Sequence, residues 1–309
     1  MINPRAGVGS ARRMKELVLD RLKGADVRTW TVKRGEDITE VVADAVAGGA
    51  TDVVAVGGDG TVSAVAGALA GRDANLGIIP TGTANMMARE LGIPLTVTGS
   101  SRLLLEGHRT VNIDVLDAGS KRFIYQVVIG SGSEAVSRVS RAEKRLLGRT
   151  VYALAGLWLL TDYYPIKLSG RIDGQELRMW ANQVGIANAG ILGLYPFRLG
   201  RGIHMDDGKV EVIAMRGRGR LRFLNSGFDL MLGNYERSRG LRYYDARSEI
   251  FLDTDPSSII KADGEIVGRT PLHLKVMPGA VRVLVPARRG DGAGTPPDKK
   301  LFHNQASLW

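Results

Sequence analysis

Apolar and polar residues alternate with two different periods along the first third of the chain. Spacings of three or four residues predict amphipathic helices over residues 14–22, 38–46, 62–69 and 85–91. Short apolar runs between them predict buried strands at Val27–Val32, Val53–Val56 and Leu76–Ile79. Strands that alternate with helices build a parallel sheet with helices on both faces. We therefore predict that residues 1–112 form a doubly wound α/β domain.

The pattern changes after Asn112, where alternating residues and Asp-Gly pairs replace the helical spacing. Asp-Gly between two alternating runs is a strong hairpin signal, because both residues accept the left-handed backbone conformation of tight turns. Such pairs stand at Asp173-Gly174, Asp207-Gly208 and Asp263-Gly264. We predict a mainly β second domain over residues 113–287, which contains one long helix from Glu134 to about Tyr163. Residues 288–309 lack periodicity and are predicted to form a disordered basic tail.

Composition narrows the classes of protein to which the chain can belong. With 309 residues, of which 44% are hydrophobic, it can bury a large core. No window reaches the roughly 20 apolar residues of a membrane-spanning helix. The absence of cysteine excludes disulfides, thiolate metal sites and cysteine nucleophiles. Because the N-terminus carries no charged and apolar leader, we expect a cytoplasmic protein.

A net charge of +10 calls for a polyanionic partner. The basic residues concentrate in three stretches, 138–149, 198–222 and 288–300. Aromatic residues make up 6% of the chain and are not interleaved with basic ones, which argues against a nucleic-acid partner. We expect instead a peripheral contact with an anionic membrane surface. Simple solubility remains an alternative explanation for each basic stretch.

The string Gly57-Gly58-Asp59-Gly60-Thr61-Val62 stands between an apolar strand and a helical stretch. Glycine is costly inside helices and strands, so three glycines in four positions require a sharp turn. The turn delivers a helix N-terminus whose free N–H groups attract anions, and glycine lets the main chain approach a phosphate closely. Asp59 adds a carboxylate that Mg²⁺ or a water molecule could share. An ordinary tight turn is the alternative interpretation.

Two further polar segments stand at the ends of predicted strands. Asn3-Pro4-Arg5-Ala6-Gly7 would end the first strand, and Pro80-Thr81-Gly82-Thr83-Ala84-Asn85 follows a later one. Threonine hydroxyls can donate to a phosphate or a ribose, and Asn85 can cap the next helix. Ligands of doubly wound sheets bind beyond the carboxyl ends of the strands. The three segments therefore predict a single phosphate-binding site.

In this order and spacing, the three motifs resemble the diacylglycerol kinase catalytic family, which includes bacterial lipid kinases, sphingosine kinases and ceramide kinases. The resemblance covers about residues 1–287. It implies an ATP site in the α/β domain, a β-rich second domain, and Mg²⁺-dependent transfer of the γ-phosphoryl group to a lipid hydroxyl in the cleft between them. The acceptor would be diacylglycerol, a sphingoid base or another membrane lipid. Related bacterial enzymes can dimerise, so a homodimer is also implied.

The resemblance further implies which residues contact the nucleotide. They belong to the three motifs and to one preceding segment: Asn3, Pro4, Arg5, Ala6, Gly7, Thr31, Gly57, Gly58, Asp59, Gly60, Thr61, Val62, Thr81, Gly82, Thr83 and Asn85.

Acidic residues carry the chemistry that the resemblance implies. Phosphoryl transfer needs a carboxylate that orients or deprotonates the attacking hydroxyl. The family pattern gives this role to Asp263 or Glu265, and Asp59 is a third candidate. Asp59 and Asp114 would organise Mg²⁺ through water, and Asp207 would hold a structural Mg²⁺. The Asp-Gly pairs at Asp207 and Asp263 can also be explained as hairpin tips.

Two positions depart from the family pattern. Met86 stands where an aspartate usually follows the asparagine of the third motif, so one carboxylate of the Mg²⁺ network is missing. Only Met1 and Ile2 precede Asn3, where several apolar residues usually form the first strand. Two alternatives to a lipid kinase stay open. One is a NAD kinase-like enzyme, since that related family shares Gly-Gly-Asp-Gly-Thr, and the other is a nucleotide- or lipid-binding protein that lost catalysis at Met86.

Overall fold

A computed structural model describes residues 1, 11–32, 36–130, 164–191, 202–231 and 238–287. Its helices are α1 (Ala11–Arg21), α2 (Ile38–Ala47), α3 (Asp59–Leu69), α4 (Met86–Glu90), α5 (Val97–Leu105) and α6 (Arg220–Met231). Its strands are β1 (Asp52–Gly57), β2 (Asn75–Pro80), β3 (His108–Asp117), β4 (Arg122–Phe123), β5 (Gln126–Gly130), β6 (Ile166–Ile172), β7 (Gln175–Ala187), β8 (Val210–Arg216), β9 (Leu241–Ala246), β10 (Glu249–Asp255), β11 (Ile259–Ala262), β12 (Glu265–Arg269) and β13 (Leu272–Pro286). Within these ranges, none of the helices is both long and apolar enough to cross a membrane.

The N-terminal domain is built on the parallel pair β1 and β2, which has a hydrophobic core on each face. On β1, Val53 and Ala55 pack in the core shared with α2, α3 and α4, while Val54 and Val56 face α1 and α5. Both faces of the strand are covered, which explains why its sequence is apolar throughout rather than alternating. The doubly wound α/β arrangement is thereby confirmed.

The second domain is an antiparallel assembly around its own core of buried aliphatic side chains. β6 and β7 form a hairpin at Asp173-Gly174, and β11 and β12 form one at Asp263-Gly264. Both aspartates adopt the left-handed conformation, with φ of 46° and 48° respectively. The prediction of a mainly β second half is confirmed, and the chemistry of Asp-Gly explains these two turns.

The long strand β13 connects the two halves of the molecule. It pairs with β10 and β3 in the antiparallel sense and with β2 in the parallel sense, so the last strand completes the sheet of the first domain. The path through the sheet runs β1-β2-β13-β10-β6-β7-β5-β11-β12, and β8 and β9 extend from β7. The boundary predicted at residue 112 falls inside β3.

Two predicted elements differ from those observed. Residues 27–32 form no strand and contain one isolated bridge at Thr31. Asp207-Gly208 is a turn before β8 rather than a hairpin tip, since the described residues 202–208 before that strand form no strand of their own. The helix predicted from Glu134 to Tyr163 and the basic tail at 288–309 also lie outside the described ranges.

Candidate active site

The main chain of the glycine turn, Gly57–Thr61, packs directly against the main chain of the third motif, Pro80–Asn85. The N–H of Thr81 donates to the carbonyl of Gly57 at 2.9 Å, which holds the ends of β1 and β2 together. A Cβ atom on Gly82 would lie 2.5 Å from the Cα of Gly58, so no larger residue fits at this crossing. The predicted convergence of these two motifs at one edge of the sheet is therefore present.

Asp59 links the glycine turn to the start of α4. Its carboxylate accepts hydrogen bonds from the N–H groups of Asn85, at 3.0 Å, and of Met86. The Asn85 side chain in turn closes its own loop, because its Oδ1 accepts from the Gly82 N–H at 3.0 Å and its Nδ2 donates to the Gly82 carbonyl at 2.9 Å. Burial raises the pKa of Asp59, against the opposing effects of the Met86 and Asn85 N–H groups and the Arg89 charge. Each Asp59 oxygen accepts one of these two hydrogen bonds and retains capacity for a further partner.

Asp263 lies at the tip of the β11–β12 hairpin and reaches α3. Its carboxylate accepts from three consecutive N–H groups, those of Ile124, Tyr125 and Gln126, at 2.8, 2.9 and 3.1 Å. A fourth donor is the hydroxyl of Ser63 on α3. Ser63 follows Asp59 by one helical turn, so the two side chains lie on the same face of α3, about 6 Å apart. The structure thus brings Asp263 and Asp59 to one site.

Two hydroxyl groups near this site are buried without a hydrogen-bond partner. They are Oγ1 of Thr81, at the end of β2, and the phenolic oxygen of Tyr125. Tyr125 is 2% exposed, and burial, followed by the charges of Asp59 and Asp263, raises its pKa well above 10. The phenol therefore stays protonated and can donate a hydrogen bond. An unsatisfied buried hydroxyl costs about 1–3 kcal/mol, and these two groups, which have no partner among the described residues, are available to a hydrogen-bonding ligand.

Asp114 belongs to a second acidic group. Its carboxylate accepts from the N–H groups of Gly279 and Gly208, at 2.7 and 2.8 Å, and the residue is 1% exposed. Burial raises the pKa of Asp114, and the charges of Asp207 and Asp206 raise it further against the two N–H donors. Burial likewise raises the pKa of Asp207. Asp207 is therefore close enough to Asp114 to affect its pKa, and the joint role of Asp114 and Asp59 around Mg²⁺ stays a prediction.

The oxygen donors of this second group fit a hard cation such as Mg²⁺ in type. Burial is the main cause of the raised pKa of Asp114, and the nearby charges of Asp207 and Asp206 add a smaller repulsion that a cation would relieve. The donors of this group do not form a compact ligand set, because no three His, Cys, Asp or Glu side chains converge as a metal centre anywhere in the described part of the chain.

The remaining predicted residues divide into three groups. Thr61 and Val62 on α3 are buried, at 6% and 4% exposure. Thr31, Thr83 and Glu265 are exposed. The Glu265 side chain makes no hydrogen bond or ion pair to any described residue, in contrast to the Asp263 carboxylate. The segment Asn3-Pro4-Arg5-Ala6-Gly7 lies outside the described residues.

Sequence reasoning missed Ser63 and Tyr125. Ser63 falls on a helix between apolar residues, and Tyr125 falls in the apolar run before β5. Each is indistinguishable from a core residue by pattern. The only available signal was that both are hydroxyl residues in buried stretches, where a polar group needs a partner.

Comparison with known proteins adds to this geometry. Residues 1–118 match the diacylglycerol kinase catalytic domain, and residues 126–285 match the YegS C-terminal NAD kinase beta sandwich-like domain. A probable lipid kinase YegS-like from Pseudomonas savastanoi pv. phaseolicola is 31% identical over 291 residues, covering 89% of this chain and 89% of that protein. The corresponding protein of Pseudomonas aeruginosa is 32% identical over 264 residues, covering 81% and 82% respectively.

Similarity to solved structures supports the same fold. A diacylglycerol kinase crystal structure from Bacillus anthracis superposes with a TM-score of 0.74 at 24% identity, covering 92% of this chain and 94% of that chain. The α/β domain with the Gly57–Thr61 turn and the β-rich domain that carries Asp263 are the two parts that the family descriptions name. The chain therefore belongs to the diacylglycerol kinase family of lipid kinases, among the YegS-like proteins.

Proposed function

We propose that the protein uses ATP and Mg²⁺ to phosphorylate the hydroxyl group of a lipid alcohol such as diacylglycerol or a sphingoid base. The observation that carries this proposal is the junction of Asp59, Ser63 and Asp263 beside the crossing of Gly58 and Gly82. It combines a main-chain surface that a phosphate can approach with a carboxylate at which a hydroxyl can be positioned.

The nucleotide phosphates would bind where the two glycines cross. The hydroxyls of Thr81 and Tyr125, which have no partner among the described residues, are suitable donors for phosphate oxygens, and because both are neutral they select by geometry rather than by charge. The N-terminus of α3 adds its dipole at this point. Binding of a phosphate would thus satisfy groups that are otherwise buried without partners.

In the reaction, the lipid hydroxyl oxygen forms a bond to the γ-phosphorus, the bond from that phosphorus to the bridging oxygen breaks, and ADP leaves. The hydroxyl proton passes to a carboxylate, for which Asp263 is our first candidate. Its four hydrogen bonds fill the capacity of a carboxylate, and three of them come from rigid main chain. Only the Ser63 hydroxyl can rotate away, so the lipid hydroxyl would take the place of Ser63 on Asp263.

Asp59, Asp114 and Asp207 are the carboxylates that would contact Mg²⁺, through water where they do not reach the ion directly. When bound, the ion would neutralise negative charge near the site. Asp59 remains an alternative base, because its raised pKa brings it closer to neutral pH and its oxygens have capacity to accept.

The test offers labelled ATP with a panel of lipid alcohols in mixed micelles and with NAD in a parallel reaction. We expect label in at least one lipid, loss of labelling when Mg²⁺ is chelated, and none in NAD. Labelling of NAD alone would favour the NAD kinase alternative. If the protein binds ATP and labels no lipid, the proposed function is wrong.

Met86→Asp tests whether the missing acid limits the enzyme. Asp59 already accepts from the Met86 N–H, so an aspartate side chain at this position would stand next to the Asp59 carboxylate. A many-fold gain in lipid phosphorylation would support an impaired kinase, whereas no gain would support a different arrangement of acids around the metal. Binding of ATP, measured separately, distinguishes either result from misfolding.

A further inference from the structure

The end of β8 and the start of α6 carry an unusual concentration of exposed arginine. We call this surface the arginine face, and it consists of Arg216, Arg218, Arg220, Arg222, Arg239 and Arg242. All six residues are exposed, and they come from three adjoining elements, the β8–α6 connection, α6 and the start of β9.

The fold holds these side chains in place. The Arg216 N–H donates to the Gly240 carbonyl at 2.6 Å, which joins the end of β8 to the turn before β9. The stem of Arg222 crosses Gly217 so closely that a Cβ atom there would lie 2.5 Å from its Cδ. The guanidinium carbon of Arg218 lies 3.8 Å from the centroid of the Trp180 ring, in a cation–π contact.

Four of the six arginines carry a positive charge that no described carboxylate pairs with. Arg216, Arg218, Arg222 and Arg239 form no salt bridge with any carboxylate in the described ranges. Asp229 is the acidic side chain in the shallow groove between Arg222 and Arg239, and it pairs with neither. Three exposed arginines elsewhere, Arg12, Arg102 and Arg282, each have an acidic partner.

An exposed apolar side chain stands among the arginines. Leu221 is 78% exposed, although the same helix buries Phe223 to 5%. A leucine that projects from a basic helix start is typical of a surface that inserts between lipid headgroups while the guanidinium groups contact anionic lipid. It does not suit nucleic acid, because the described residues of the arginine face include no aromatic side chain for stacking and the neighbouring Trp180 ring is already covered by Arg218.

The arginine face lies near the candidate active site along the sheet. Gln126, which donates to Asp263, begins β5, and Gly130 ends it about 13 Å away. Gly130 pairs with Gln183 on β7, which pairs with Met215 on β8, next to Arg216. A bilayer at this face would therefore lie roughly 15 Å from the site, within the length of an extended lipid chain.

We infer that the arginine face, with Leu221 at its centre, is the surface by which the protein docks on an anionic bilayer. The inference rests on the proposed function, since a lipid acceptor has to be reached in a membrane. The inference adds to the proposed function the surface of the protein that contacts the membrane.

The test measures co-sedimentation with vesicles of phosphatidylcholine alone and of phosphatidylcholine with 30% phosphatidylglycerol. Each arginine in contact is worth about fivefold in partitioning. We expect Arg216→Glu/Arg218→Glu to weaken binding to the anionic vesicles at least tenfold, and Leu221→Ser to weaken it several-fold. Binding should also be lost in high salt.

The matched control is Arg171→Glu/Arg178→Glu, which changes net charge equally at two exposed arginines on β6 and β7. If this control loses as much binding as Arg216→Glu/Arg218→Glu, net charge rather than the arginine face is responsible, and the inference is wrong. It is equally wrong if the wild type ignores anionic vesicles and binds a DNA fragment through the same arginines.

A water-soluble, short-chain lipid alcohol separates this inference from the proposed function. Arg216→Glu/Arg218→Glu should phosphorylate the soluble acceptor at the wild-type rate. Wild type that binds vesicles but phosphorylates nothing overturns the function and leaves the docking surface standing. If the wild type phosphorylates the soluble acceptor but does not bind vesicles, the docking inference is wrong and the proposed function stands.

Discussion

The hairpin tips at Asp173 and Asp263 are near copies of one another in different surroundings. In each, the aspartate has a left-handed backbone and accepts from three consecutive main-chain N–H groups and one serine hydroxyl. In each, the aspartate N–H donates to the carbonyl of the third residue in the clamped segment, Glu249 or Gln126. The Asp-Gly sequence thus produces a structural clamp that is independent of catalysis.

The difference lies in the origin of the hydroxyl. Asp173 takes it from Ser248, inside the segment that it clamps, and stands exposed. Asp263 takes it from Ser63 on α3, one turn after Asp59. The comparison teaches that the Asp-Gly clamp forms from residues of the hairpin and the segment it holds. A catalytic role depends instead on which other element of the fold packs against the clamp.

The largest expected effect separates the two aspartates by activity. Asp263→Asn and Asp173→Asn both replace an acceptor oxygen with a donor facing N–H groups, so both lose stability by about 1–3 kcal/mol. Only Asp263→Asn should lower lipid phosphorylation, by at least a hundredfold, because a general base is worth about that factor. The measurement is the initial rate at a temperature where both variants are folded.

Equal losses of rate in the two variants would show that Asp263 acts through the fold alone. The folded fraction, followed by circular dichroism during the assay, controls for unfolding.

Tyr125→Phe removes a phenolic hydroxyl. This group stands beside the Asp263 hairpin and has no counterpart beside the Asp173 hairpin. The phenolic oxygen has no partner, so its loss should leave the free energy of unfolding unchanged or raise it by up to about 1 kcal/mol. The rate should nevertheless fall about tenfold if the phenol donates to a phosphate oxygen. Urea unfolding with and without ATP measures both effects, and a wild-type rate would refute the role of Tyr125.

The two serines should differ in stability. Ser63→Ala removes a hydrogen bond to a partly buried carboxylate and should cost about 1.5–3 kcal/mol, whereas Ser248→Ala acts at an exposed site and should cost less than about 1 kcal/mol. Urea midpoints of both variants at neutral pH give the comparison. Similar costs in the two variants would mean that the contact with α3 adds no stability to the Asp263 clamp.

The smallest expected effect is the pH dependence of the stability that the Asp173 clamp contributes. Burial alone would raise the pKa of Asp173, but the Ser248 hydroxyl and the N–H groups of Glu249, Arg247 and Ser248 outweigh it and lower the pKa to about 2. The carboxylate of the unfolded chain titrates near 4, so this clamp stabilises the fold above about pH 4 and loses its contribution as the pH falls to about 2. Asp173→Asn should show a flatter decline in urea midpoint between these pH values than wild type does, and parallel curves would contradict the assignment.

Part of this site was predictable because it follows from chain order. Parallel strands place their carboxyl ends together, so the contact between Gly57–Thr61 and Thr81–Asn85 could be inferred from strand order alone. The turns at Asp173 and Asp263 could be inferred from two residues each. Residues 27–32 show the limit of prediction from local sequence. Their pattern resembles a strand, but a strand also needs a partner, which local sequence does not reveal.

The contacts that could not be predicted are distant in sequence. Ser63 meets Asp263 across 200 residues, and Asp263 meets the Ile124 N–H across 139. The Asp114 carboxylate accepts from the N–H groups of Gly208 and Gly279, which lie 94 and 165 residues later in the chain. No pattern within a segment encodes such pairings, since they depend on how the β-rich half folds back.

Strand β13 makes the order of synthesis important for this protein. Arg282 pairs with Asn75, so the first domain cannot complete its sheet until nearly the whole chain has left the ribosome. Until then β2 exposes an unpaired edge, and Asp114 lacks the Gly279 N–H that it holds in the finished protein. A fragment ending near residue 118 would keep that open edge permanently. Although its catalytic motifs come first, the kinase becomes a complete structure only with its last strand.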